Sequence, residues 1–493
     1  MPRNLLALIP LLLHTAFSFA APLVEFELTL DAKALDKPFT GRVYVLLSKF
    51  EPRQLPNGLN WFNPEPAFAE NVREWKPGTT RTLGVKAIAF PTPLKDLKPG
   101  KWFAQAVIDR DLGGISFAAS PGNVYSKPVA FTLDPEKPSV VALSLDLVHK
   151  ETPFKETEQV KYVELESPML TKFHGKPTKM RAGVILPPSF EDSPKRKYPV
   201  VYEITGFGGD HTFAPRLASR KPGDLNGTEA IWVVLDANCR LGHHVFADSA
   251  NNGPVRTALV EAFIPHIEKT FRGTGKGSQR LVTGHSSGGW SSLWLQVAYP
   301  DAFNGCWSTS PDPVDFRDFQ RVNLYEPKSN LFTDADGKPR DLARSDRGKP
   351  LQFQAFSDME VLMGRGGQLA SFEAVFSPKD KNGQPRKLWD RTTGAIDPVT
   401  AKSWEPYDIR RKLDAEWPTL KPKLLGKLHV YMGDIDTFYL DGAARLLKKS
   451  LDAKDYPEAV EMFPKKTHAL VDADLRKRMN REMADRLKID KDR

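Results

Sequence analysis

Gly284-His285-Ser286-Ser287-Gly288 sets a serine between two glycines at the spacing Gly-x-Ser-x-Gly. Arg280-Leu281-Val282-Thr283 before it reads as a strand, and Ser287 to Tyr299 reads as a helix stopped by Pro300. A serine on a tight strand-to-helix turn projects its hydroxyl, and its neighbours must be small because bulk there would strike adjoining backbone. The five residues alone would also suit a helix start with a capping serine. Their context points to a nucleophile for acyl chemistry.

A serine hydroxyl needs a general base to take its proton. Around such turns the chain order is serine, then acid, then histidine. Only His429 and His468 follow Ser286. His429 sits inside the apolar run Leu428 to Met432, as a strand-face side chain would. That leaves His468, in the polar turn Lys465-Lys466-Thr467-His468, as the base. The acid should follow Met432, where Asp434, Asp436 and Asp441 stand; Asp436 is preferred, with Asp434 read as a turn residue and Asp441 as a helix-start residue. The acid's task is to hold the imidazole tautomer and stabilise the imidazolium. Backbone N–H donors must receive the developing oxyanion. One is expected at Ser287, the other in Thr205-Gly206-Phe207-Gly208-Gly209, at Phe207 in preference to Gly208. His285 and Trp290 beside the nucleophile, with His243 and His244, are candidate substrate contacts. No third ligand is spaced near the His243-His244 pair, so no metal is expected, and the chemistry needs no organic cofactor.

The elements that would position these residues form two textures. From Leu23 to Val148 apolar residues alternate, as in Val24-Glu25-Phe26-Glu27-Leu28, between Pro/Gly turns. This predicts a small antiparallel β-sandwich over residues 21–148, either a docking module or a structural appendage. Residues 149–159 read as a linker. Beyond them, apolar strands at 182–186, 199–204, 231–235 and 280–283 alternate with helical patterns, which predicts an α/β domain with a mostly parallel sheet over 160–493. Residues 311–423 break that rhythm, and the sheet resumes at 428–432 and 459–463. A structureless loop of that length is implausible in a compact domain, so a cap-like insertion with its own helices is expected. It is expected to build the substrate pocket around Trp389, Trp404 and Trp417, though tryptophans more often serve packing than form a binding platform.

The residues now in view resemble the “putative esterase” family, the branch of α/β hydrolases that holds enterochelin esterases, feruloyl esterases, S-formylglutathione hydrolases and mycolyltransferases. Tyr198-Pro199-Val200-Val201-Tyr202 leading to Gly206-x-Gly208-Gly209 is similar to the family's strand and oxyanion turn. Gly284 to Trp290 is similar to its nucleophile turn, and Tyr299-Pro300-Asp301-Ala302-Phe303 to the helix end behind it. Gly433-Asp434-Ile435-Asp436 fits the family's Gly-x-x-Asp acid position, a second reason to prefer Asp436. The resemblance spans residues 160 to 470, outside most of the insertion. It implies the α/β-hydrolase fold and an esterase using Ser286, His468 and Asp436. Thr205 departs from the pattern, since many members carry His there.

The rest of the chain narrows the setting. Arg3, the apolar run Leu5 to Leu13, and Ser18-Phe19-Ala20 form the pattern of a signal peptide over residues 1–20, so a secreted or periplasmic protein is expected. No other stretch is long and apolar enough to span a membrane. The net charge of +9 is interleaved along the chain, which speaks against nucleic-acid binding. The two cysteines, Cys239 and Cys306, could form one bridge or stay as thiols. A small-molecule or polymer-linked ester is the expected substrate. An acyltransferase with the same residues, a peptidase, or an extracellular binding protein with a degenerate hydrolase domain are the alternatives. Oligomeric state is left open.

Overall fold

The computed structural model describes residues 24–345 and 348–489. The leader expected at residues 1–20 lies outside them.

Strands β1 (Val24–Leu30), β2 (Phe39–Ser48), β3 (Ala67–Trp75), β4 (Thr80–Leu83), β5 (Ile88–Phe90), β6 (Gly100–Asp109), β7 (Val124–Ser126), β8 (Val129–Leu133) and β9 (Ser139–Val148) form one hydrogen-bonded sheet. Its order is β4-β1-β9-β7-β6-β2-β3-β5, with β8 also on β6. Val24, Phe26, Leu28 and Leu30 are buried, and Glu25 and Glu27 between them are exposed, as a period of two requires. The sheet is not purely antiparallel, because β1 and β9 run parallel. Alternation tells which face a side chain buries, and it does not tell the direction of the neighbouring strand.

The second sheet contains β10 (Val160–Glu166), β11 (Lys179–Ile185), β12 (Val200–Ile204), β13 (Ile231–Leu235), β14 (Arg280–His285), β15 (Cys306–Thr309), β16 (Leu428–Gly433) and β17 (Val460–Phe463). Their order is β10-β11-β13-β12-β14-β15-β16-β17. Pairs from β13 to β17 are parallel, and β11 runs antiparallel to both its neighbours. This is the mostly parallel sheet expected of the α/β-hydrolase fold. Both faces are covered: Val200, Tyr202 and Ile204 pack on one side, and Val201, Leu281 and Trp307 meet the C-terminal helix through Leu475, Met479 and Met483 on the other. Burial on both faces is why β13 reads Ile-Trp-Val-Val-Leu without alternation. Cys239 and Cys306 are separate free thiols, and burial pushes both up to about 12. Among the described residues no helix is long and apolar enough to cross a membrane.

Between β15 and β16 the chain builds helices Phe353–Met363, Gln368–Phe376, Pro398–Ser403 and Ile409–Leu424. The N-terminal sheet grips the first of these by its C-terminal end. Arg42 Nη1 donates to the carbonyls of Val361 (2.6 Å) and Leu362 (2.9 Å), and Tyr44 Oη donates to that of Met363 (2.7 Å). These are the carbonyls a helix end leaves without intrahelical partners. Just beyond, Arg365 forms two 2.6 Å hydrogen bonds with Asp109 of β6, and the two side chains are 9% and 5% exposed. Removing one member of a buried pair strands the other charge, at a cost of roughly 3–5 kcal/mol. Arg365→Ala is therefore expected to lower the urea midpoint of unfolding clearly. An unchanged midpoint would mean that this contact does not hold the two parts together.

Candidate active site

The parallel strands end on one side of the sheet. Register places Ile204 beside Gly284, His285 beside Thr309, and Thr309 beside Tyr431. The turns that follow β12, β14, β15, β16 and β17 therefore meet beyond the carboxyl ends of the strands, where sites of open α/β sheets form.

Ser286 follows β14 with φ 59° and ψ −123°, a conformation costly for a residue with a side chain. Hydrogen bonds on both flanks hold it: its N–H donates to Thr309 O (3.0 Å), and its carbonyl accepts from Trp290 N–H (3.0 Å). The glycines around it are sterically required. A Cβ on Gly284 would lie 2.1 Å from Gly288 O, and one on Gly288 would lie 1.9 Å from Ile204 O. Ser287, the first residue of helix Ser287–Ala298, presents an N–H that needs no helical acceptor.

His468 and Asp436 stand on the same cavity as Ser286, or directly behind it. His468 Nδ1 lies 2.7 Å from Asp436 Oδ2, and Asp436 is 0% exposed. Asp436 Oδ1 accepts from Phe438 N–H (2.8 Å), and Ser310 Oγ donates to the His468 carbonyl (2.9 Å). Asp434 instead accepts from Lys465 N–H, and Asp441 begins a helix. His429 is stacked on Trp307, with centroids 4.6 Å apart. His285 does line the cavity, with its ring 4.6 Å from that of His468. Burial and the adjacent His468 push its pKa down to about 4. At neutral pH it therefore adds no positive charge beside His468.

Three expected contacts are placed elsewhere. His243 is buried: its Nδ1 accepts from Val245 N–H (3.0 Å), so the proton sits on Nε2, which donates to Thr205 O (3.2 Å). Burial pushes its pKa down to about 4. His243 thus braces the turn that carries Phe207 and does not face substrate. His244 is likewise enclosed; its Nδ1 accepts from Phe246 N–H (3.2 Å), and burial pushes its pKa down to about 3. Trp290, 1% exposed, packs against Trp294 with centroids 5.3 Å apart. A missing oxyanion donor costs on the order of 10²–10³ in rate, and a loosened brace should cost less. His243→Ala is therefore expected to lower kcat about tenfold. A kcat within twofold of the unaltered protein would contradict that role.

The cavity measures about 250 Å³ and is walled by Gly206, Phe207, His285, Ser286 and His468 on the sheet side. The insertion supplies Gln320, Leu342, Phe356, Gln368, Leu369 and Phe372, while Trp389, Trp404 and Trp417 are core residues away from it. Trp389 and Trp404 donate instead to the hydroxyls of Ser357 and Ser377. Asp312 also lines the cavity; its carboxylate accepts from Ser287 Oγ (2.6 Å), and burial pushes its pKa up to about 6. Sequence reasoning missed Asp312, Phe356 and Gln368. Nothing in their local pattern marks them.

Residues 175–417 match the family model described as “Putative esterase”. This segment belongs to that family. The esterase is accordingly a carboxylic ester hydrolase by class. No sequence among curated proteins matches the chain. Solved structures similar to the esterase include FphF, a fluorophosphonate-binding serine hydrolase of Staphylococcus aureus, at 16% identity and a TM-score of 0.38, covering 67% of this chain and 99% of that one. An S-formylglutathione hydrolase from Agrobacterium tumefaciens is 14% identical, with a TM-score of 0.38 and coverage of 67% and 93%. A ferulic acid esterase from Anaeromyces mucronatus is 14% identical, with a TM-score of 0.32 and the same coverage. The family match carries the assignment, and these distant structures add no weight to it.

Proposed function

We propose that this chain hydrolyses a carboxylic ester through an acyl-enzyme on Ser286. The reading rests on one observation above all: a fully buried Asp436 holds the imidazole of His468 at 2.7 Å, and His468 shares a cavity with Ser286. Asp436 accepts from Nδ1–H, so Nε2 is free of a proton and can take one. Ser286 Oγ attacks the ester carbonyl as His468 Nε2 removes its proton, and the N–H groups of Ser287 and Phe207 receive the oxyanion. Collapse expels the alcohol, which leaves with the proton from His468. Water, deprotonated by the same nitrogen, then attacks the acyl-serine and releases the acid. The leader at residues 1–20 is read as a cleaved signal, placing the mature enzyme outside the cytoplasm or in the periplasm. The N-terminal nine strands are read as a sandwich-like accessory domain.

A fluorophosphonate probe tests the proposal, since it phosphonylates only an activated serine. Labelling is expected in the unaltered chain and absent in Ser286→Ala. Ester turnover without labelling of Ser286 would overturn the mechanism.

A further inference from the structure

The cavity has a wall that the α/β domain does not build. The loop between β2 and β3 leaves the N-terminal sheet and places Trp61 on the cavity beside Phe207, Phe356 and Phe438. The Trp61 ring lies 6.0 Å from Phe207, 4.9 Å from Phe356 and 6.1 Å from Phe438, between centroids. These partners come from three different segments. Phe207 is on the oxyanion turn, Phe356 is on the first insertion helix, and Phe438 stands 4.9 Å from the His468 ring. Trp61 joins them into a continuous aromatic wall.

The loop is built to hold that position. Asn60 Oδ1 accepts from the N–H groups of Phe62 (3.0 Å) and Asn63 (2.9 Å), which folds its tip. Glu65 Oε1 accepts from Ser48 Oγ (3.1 Å) and Lys49 N–H (3.0 Å), which closes its base. Leu55 is buried in the same core as the insertion helices. The Arg42, Tyr44 and Arg365 contacts fix the sheet against the helix that carries Phe356.

We infer that Trp61, on the N-terminal sheet, is a specificity-determining residue that selects esters bearing a ring-sized apolar group. The inference rests on the reading of Ser286 as nucleophile. Aromatic side chains offer large rigid apolar area and favour stacked or edge contacts with a ring. A cavity of about 150 Å³ lined by apolar residues holds benzene, so one of about 250 Å³ has room for a ring and its linker. Among the described residues no lysine or arginine lines this cavity, so no fixed cation is seen there to favour a charged substituent over an apolar one.

The test compares full-length wild type, Trp61→Ala and Trp61→Phe on two matched pairs of esters. Methyl phenylacetate against methyl acetate places the ring on the acyl side, and benzyl acetate against ethyl acetate places it on the alcohol side. In Trp61→Ala the ring-to-small ratio of kcat/KM should fall at least fivefold in one pair, with Trp61→Phe falling less. Ratios that change less than fivefold in both pairs would overturn the inference. Fluorophosphonate labelling of Ser286 in each variant separates the outcomes. A labelled Trp61→Ala with unchanged ratios defeats only the role of Trp61, and an unlabelled wild type defeats the proposed mechanism itself.

Discussion

Ser286→Ala should lower kcat for ester hydrolysis by about 10⁶-fold, the scale seen when a serine nucleophile is removed. The loss is large because no neighbouring group can substitute. Ser287 Oγ is committed to Asp312, and the thiols of Cys239 and Cys306 are held protonated by burial. The residual rate would come from the oxyanion donors and from binding alone. Stability should hardly change, since alanine at position 286 keeps the same backbone hydrogen bonds to Thr309 and Trp290. Residual kcat within a hundredfold of the unaltered enzyme, measured on pure protein with an unchanged unfolding midpoint, would contradict the assignment.

Asp436→Asn should cost about 10⁴-fold in kcat with little change in KM. In the proposed mechanism the carboxylate does two things: it accepts from Nδ1–H, which leaves Nε2 as the proton acceptor, and it offsets the positive charge His468 would acquire. An asparagine of the same shape can present its NH₂ to Nδ1. The proton then moves to Nε2, the wrong nitrogen for a base facing Ser286. Complete burial of Asp436 sharpens the effect, because no solvent is at hand to replace the lost charge. Asp434→Asn is the comparison, with less than a tenfold loss expected, since Asp434 serves the backbone N–H of Lys465. Equal losses at the two positions would show that the turn, not the carboxylate of Asp436, matters.

How much of this was legible depended on whether the signal was local. Ser286 was readable because its turn demands glycines at fixed positions, and the Cβ clashes at Gly284 and Gly288 are that demand in atomic form. His468 was singled out because only one other histidine follows Ser286. Asp436 was preferred among three aspartates after Met432, with the family resemblance as a second reason; the structure sets these two side chains 2.7 Å apart. His243 was misassigned for a physical reason: adjacent histidines suggest a wet edge, but both ring nitrogens of His243 are taken by the main chain at Val245 and Thr205. The tryptophans of the insertion were open between packing and the pocket, and Trp404 and Trp389 are packing residues with hydroxyl partners. Trp61 was invisible because its role exists only once the N-terminal sheet docks on the insertion helix. That docking is made by single contacts such as Arg42 to Val361 and Arg365 to Asp109, which leave no periodic trace in the sequence. The parallel pairing of β1 with β9 escaped for the related reason that long-range partners are not written in a strand's own alternation.

The most direct test of the central claim is intact-protein mass spectrometry of the full chain, acid-quenched during turnover of a slowly deacylating ester. The account predicts a mass increase equal to the acyl group, mapped by digestion to the peptide carrying Ser286 and absent from Ser286→Ala. Rapid turnover with Ser286 unmodified, or with the acyl group on another residue, would contradict it.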